Sequence, residues 1–114
     1  MQITYFFQNF NLDEKNKEFL ENKIKKLEHF SDKIQEARVG LSYRLNRIKE
    51  QSVRLEINLK MPNKILRAEI KDKNLLTAVE DAIKKLESQL RRYRIFGEMK
   101  KKFSQKFLRK IKES

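Results

Sequence analysis

The sequence predicts an α+β domain of order β-α-β-β-β-α, a four-stranded sheet with two helices packed on one face, followed by a basic C-terminal tail. Three observations carry this. Apolar and polar residues alternate over 37–45 and again over 53–61, the period of a strand with one buried side. Val79, Ala82, Ile83, Leu86, Leu90 and Tyr93 recur at three- and four-residue steps, the stripe of an amphipathic helix. A chain of 114 residues with 39% hydrophobic content supports one modest core and no second sizeable domain.

The first strand is predicted where Ile3, Tyr5 and Phe7 alternate with Gln2 and Thr4, with Phe6 breaking the pattern. Asn11 to Glu14 resembles a helix entry. Leu20, Ile24 and Leu27 then form a stripe, with Phe19 and Phe30 beside it, so a helix is expected over roughly residues 13–30, ending near Ser31-Asp32. Ala37, Val39, Leu41, Tyr43 and Leu45 form the inner side of the second strand, and Val53, Leu55, Ile57, Leu59 and Met61 that of the third. The polar stretch 46–52 suits a hairpin connector, although Ile48 has no role in that reading. Pro62-Asn63 supplies the next turn, and Leu66, Ala68 and Ile70 the fourth strand. Asn74, or Asp72 before it, can cap the last helix, and Gly97 stands where that helix could stop. Each strand has one apolar side, so both helices should cover the same face and leave the other to water.

Residues 95–114 form a separate basic tail in this reading, with seven Lys or Arg against two Glu. Met99, Phe103, Phe107 and Ile111 recur every four residues, with Leu108 off the stripe. Such a stretch could lie on RNA, on an anionic membrane or in a partner's groove, or fold back in part against the domain.

A formal charge of +12 predicts attraction to polyanions and strong salt dependence. Without cysteine there are no disulfides, thiolate chemistry or cysteine metal sites. One histidine and two glycines rule out a multi-histidine metal cluster and a phosphate-cradling glycine loop. His29 falls on the outward side of the first helix, and the acids are scattered among lysines at salt-bridge spacing, so neither suggests catalysis. No enzymatic activity, metal or cofactor is expected. The N-terminus lacks a basic-then-apolar signal layout and no apolar run nears ~20 residues, so a cytoplasmic location is expected.

Both helices repeat one plan, apolar inside and cationic outside. Two such helices on one sheet face would turn Lys23, Lys25, Lys26, Lys84, Lys85, Arg91 and Arg92 to the same side, a surface suited to a phosphate backbone. Few aromatics accompany them, which favours shape and phosphate recognition of structured RNA over stacking on unpaired bases.

The element order, the segment KIKKLEHF at Lys23–Phe30 and the segment LLTAVEDAIKKLESQLRRYR at Leu75–Arg94 resemble the ribosome hibernation promoting factor and ribosome-associated inhibitor A family, in its short, protein Y-like form. The resemblance covers residues 1–94. Its most specific part is KLE-x-QL at Lys85–Leu90, with Thr77-Ala78-Val79 ahead of it. It implies a stress or stationary-phase inhibitor, monomeric off the ribosome, that binds the small ribosomal subunit and its ribosomal RNA across the decoding centre. There it would occupy the path of messenger RNA and of the A- and P-site transfer RNAs. Carried over by position, the family's RNA-binding residues match Lys23 and Lys26 in the first helix and Lys85, Arg91 and Arg92 in the second, with Gln89 as a polar neighbour. Asn74-Leu75-Leu76 replaces the family's Asp-Met-Tyr-like helix start, and Ser88 replaces a frequent basic residue. The tail is neither an acidic extension nor a linker with a dimerisation domain, so self-driven pairing of ribosomes is not expected. Two rivals remain: a general structured-RNA-binding module, and a membrane or protein adaptor driven by the tail.

Overall fold

The computed structural model describes residues 1–113 apart from 46, 47 and 49, with side chains described up to residue 97. Four strands, β1 (Gln2–Gln8), β2 (Glu36–Leu45), β3 (Gln51–Met61) and β4 (Lys64–Asp72), form a sheet in that spatial order. β1 runs parallel to β2, while β2, β3 and β4 form an antiparallel meander. The helices are α1 (Glu14–Lys25), continued by a 3-10 turn at Lys26–His29, and α2 (Leu75–Glu113). The expected fold class is therefore the observed one.

Local chemistry sets the element ends. The Asp13 carboxylate accepts from the Asn16 backbone N–H at 2.9 Å and starts α1. The Asn74 side chain accepts from the N–H groups of Leu76 and Thr77 at 2.9 and 3.4 Å, and Asp72 in turn holds the Asn74 N–H at 3.0 Å. Pro62-Asn63 links β3 to β4, with Asn63 at φ 62°, a left-handed conformation that Asn tolerates.

Alternation decides what is buried. Val39, Leu41, Leu55, Ile57, Leu59, Leu66 and Ala68 from the sheet meet Leu20, Ile24 and Leu27 from the first helical segment and Val79, Ala82, Leu86 and Leu90 from α2 in one core. Each of the valine, leucine and isoleucine side chains contributes about 1.5–3 kcal/mol on removal from water. α2 lies over β3 and β4 and packs beside α1 and the 3-10 turn. At the far end of the sheet, Phe10 stacks between Phe7 and Tyr43 at centroid distances of 6.5 and 4.8 Å, a role the sequence pattern did not suggest.

Two expectations are corrected. The first helix is α-helical only to Lys25; the tighter 3-10 turn aligns residues three apart, which carries Leu27 under the sheet with Ile24. The second helix does not stop at Gly97 but continues to Glu113. A glycine ends a helix when its backbone turns left-handed, and no glycine here has positive φ. The hairpin connector includes residues 46, 47 and 49, which lie outside the described residues, and Ile48 is an exposed turn residue. The stripe of Met99, Phe103, Phe107 and Ile111, with Leu108, lies outside the described side chains.

A Cβ added at Gly97 would meet nothing within 4 Å. Gly97→Ala is therefore expected to raise helix content and to stabilise α2 by about 1 kcal/mol, read by circular dichroism on heating, whereas Gly97→Pro should shorten the helix.

Candidate nucleic-acid interface

Charge is organised differently on the two sides of the molecule. On the open sheet face, Arg54 Nε donates to Glu69 Oε1 at 2.8 Å, Arg67 reaches Glu69 Oε2 at 3.0 Å and Glu56 Oε1 at 3.2 Å, and Arg38 lies 3.4 Å from Glu36. Register explains this lattice. Glu56 and Glu69 face each other across β3 and β4, flanked on the same face by Arg54 and Arg67. The bond from Arg54 holds the Glu69 carboxyl below its usual range, against an opposing effect of burial, with the charges of Arg54, Arg67 and Lys71 assisting. Glu36 is held low chiefly by a hydrogen bond from the Thr4 hydroxyl at 3.0 Å, with Arg38 assisting.

The helix layer is the opposite case. Among the described residues, Lys23, Lys25, Lys26, Lys84, Lys85, Arg91 and Arg92 form no salt bridge. All but the half-buried Lys23 are exposed. Lys25 and Lys26 sit where α1 passes into the 3-10 turn. Lys23 Nζ stands 5.5 Å from the centroid of the Phe19 ring, and the Arg91 guanidinium 5.3 Å from that of Phe30. Arg91 thus reaches across from α2 to the end of the first helical segment, an attraction of cation and ring that holds the group in place while leaving it in water. Lys84 and Lys85 lie on the other flank, lining a shallow hollow with Asp81 and with Glu69, Ile70, Lys71 and Asp72 of β4. Arg91 thus stands at the boundary between the helices, and Lys84 and Lys85 beside β4.

Gln89 stands in neither place. Its amide nitrogen donates to the Arg67 carbonyl at 2.8 Å, and its carbonyl oxygen accepts the Arg67 N–H at 3.2 Å. One turn further, the Tyr93 hydroxyl donates to the Pro62 carbonyl at 3.3 Å. These residues fasten α2 to β4 and its hairpin. Neither contact was visible in the spacing of the sequence, because each partner is backbone on a distant element.

Among the described residues no group of three or more His, Cys, Asp or Glu could hold a metal ion, and no helix is long and apolar enough to cross a membrane. His29 is exposed in the 3-10 turn. What the face offers is a set of mostly exposed cations, suited to binding a polyanion.

Comparison with known proteins matches residues 3–95 to the profile of a family described as Sigma 54 modulation protein / S30EA ribosomal protein. A relative from Deinococcus radiodurans, named ribosome hibernation promotion factor, is 34% identical over 87 residues, 76% of this chain and 46% of the relative. The chain thus spans less than half the length of that curated relative. The N-terminal domain of Thermus thermophilus Protein Y superposes with a TM-score of 0.69 at 28% identity, covering 82% of this chain and 99% of that one. A ribosomal subunit interface protein from Coxiella burnetii gives a TM-score of 0.72 at 21% identity, covering 83% and 99%, and is a likeness of fold.

Two outcomes are expected from these contacts. Gln89→Ala should lower stability by about 1 kcal/mol in urea unfolding, by leaving the Arg67 backbone groups to water, while Lys85→Gln should leave it unchanged. The depressed Glu69 carboxyl adds stability that is present above the unfolded carboxylate value of about 4.3 and is lost as pH falls through the lower folded value. The melting-temperature advantage of the wild type over Glu69→Gln should therefore shrink as the buffer is taken from pH 6 to about pH 3.

Proposed function

The chain belongs to the Sigma 54 modulation protein / S30EA ribosomal protein family, and from that premise we propose that it is a cytoplasmic ribosome hibernation factor that binds the small ribosomal subunit at the decoding region. The observation that carries this reading is the partition of charge: the sheet face neutralises its own carboxylates, and the helix layer leaves seven cations without salt bridges among the described residues. Residues 1–94 are the ribosome-binding domain. Lys23, Lys25, Lys26, Lys84, Lys85, Arg91 and Arg92 hold ribosomal RNA phosphates, and Gln89 supports the fold behind them.

The mechanism is occlusion without chemistry. Contacts from lysine and arginine to phosphates release counterions, which provides affinity without base sequence. A sheet braced by two helices does not yield to an incoming strand, so bound protein and the tRNA and mRNA paths exclude each other. The names of the relatives, a hibernation promotion factor and a subunit interface protein, support the same partner.

The test is co-sedimentation with vacant ribosomes across a salt series, with and without occupied tRNA sites. The wild type should travel with the small subunit, fall off with rising salt and be displaced by tRNA. Replacing Lys85, Arg91 and Arg92 by Glu should abolish binding with little change in melting temperature, and neutralising the same three should reduce the log–log salt slope by about three. Equal affinity for free duplex RNA and for ribosomes would instead favour a general structured-RNA module.

A further inference from the structure

The sheet has two outer strands, β1 and β4, and their margins differ. β4 is tied to α2 by Gln89, and among the described residues no such tie is made to β1. The Gln2 N–H donates to the Gln35 carbonyl, next to the pairing of Gln2 with Glu36, so the backbone groups of Gln2, Thr4, Phe6 and Gln8 point toward β2. Those of Ile3, Tyr5 and Phe7 point the other way, off the sheet. Natural sheets blunt such an edge with charged side chains or proline. Residues 1–12 hold neither, in a chain with 28 Lys or Arg and 16 Asp or Glu. The N-terminal amine is itself paired, 3.4 Å from Glu28. Phe6 and Phe7 are 58% and 46% exposed.

We propose that β1 is a pairing edge for a second copy of this chain, the two strands running antiparallel about a two-fold axis at Tyr5, perpendicular to the sheet. Charge selects the occupant. The molecule carries +12 overall, so a second copy is repelled wherever cations face out, and β1 is an edge it can approach without opposing like-charged side chains. The register closes on itself. Ile3 meets Phe7 of the other copy and Tyr5 meets Tyr5, and these are the residues whose free backbone groups exchange hydrogen bonds in both directions. On the open face Thr4 meets Phe6 and Gln2 meets Gln8, so the cross-strand pairs are aromatic, β-branched or amide. The axis brings α1 of each copy to the same side, and α1 carries three Glu against four Lys, so it adds little net charge there. A two-fold contact of this kind stops at two copies. The family resemblance implies a monomer off the ribosome; the free edge argues for a pair, independently of ribosome binding.

The test is the mass of the full chain by sedimentation equilibrium over a concentration series, at low and at high salt. The wild type should rise from 13.9 kDa to twice that value and no further, and at lower concentration once salt screens the repulsion between copies. In this register Phe6 lies diagonally across the axis from Phe6 of the other copy, ~7–8 Å away. Phe6→Lys alone and Phe6→Glu alone should each stay at the mass of one chain, and an equimolar mixture of the two should recover the pair. Without any substitution, the amides of Ile3, Tyr5 and Phe7 should gain protection from hydrogen exchange as the wild type is concentrated. A mass that stays at one chain, a mass that climbs past two, or amides that gain no protection would overturn the proposal. So would pairing that neither substitution disturbs, a mixture that does not recover it, or pairing lost at high salt, which marks a bridging polyanion.

Discussion

Leu55, Ile57 and Leu59 on β3 and Leu86 and Leu90 on α2 have no solvent exposure, and the rest of the molecule is arranged around keeping them so. Each strand carries apolar side chains on one side only, and a sheet built from such strands needs a single covering layer. Two helices suffice. α2 must lie across β3 and β4 and α1 must stand beside it, and the axial rotation of each helix is set by which residues it buries. That rotation, in turn, decides which cations face water.

The two solvent-facing sides then meet different requirements. Side chains on the open sheet face are held in register by strand pairing, so opposite charges placed across β3 and β4 find one another. On the helices, successive cations are splayed around a cylinder and have no partner strand. Such exposed ion pairs add little to stability individually, so the lattice over the sheet matters more for what it removes from the surface, namely free carboxylates that would repel a nucleic acid.

Much of the fold was legible because burial imposes periods. The alternation of Val53 to Met61 and the stripe of Val79 to Leu90 each admit one regular structure, and Asp13, Asn74 and Pro62-Asn63 mark ends by chemistry that acts within three residues. The site was legible only as far as composition reaches. Lys23, Lys85 and Arg91 look alike in a sequence, yet one lies against Phe19, one lines the hollow beside β4 and one reaches Phe30 on another element. Gln89 was read as a neighbour of the binding cations, and its actual partner is 22 residues away. Gly97 misled as a stop because a weak local preference, about 1 kcal/mol, is overridden when the backbone on both sides remains helical.

The pair of bonds between Gln89 and the backbone of Arg67 has a consequence for how copies of this chain behave toward one another. β4 is an outer strand of the sheet, and an outer strand offers its free amides and carbonyls to any extended segment that approaches. At Arg67 both groups are taken by a side chain from the molecule's own helix. A foreign strand trying to extend the sheet there would first have to displace that amide, and would then meet α2 along the same margin. The fastening of the helix thus also blocks strand addition at Arg67 on the β4 edge.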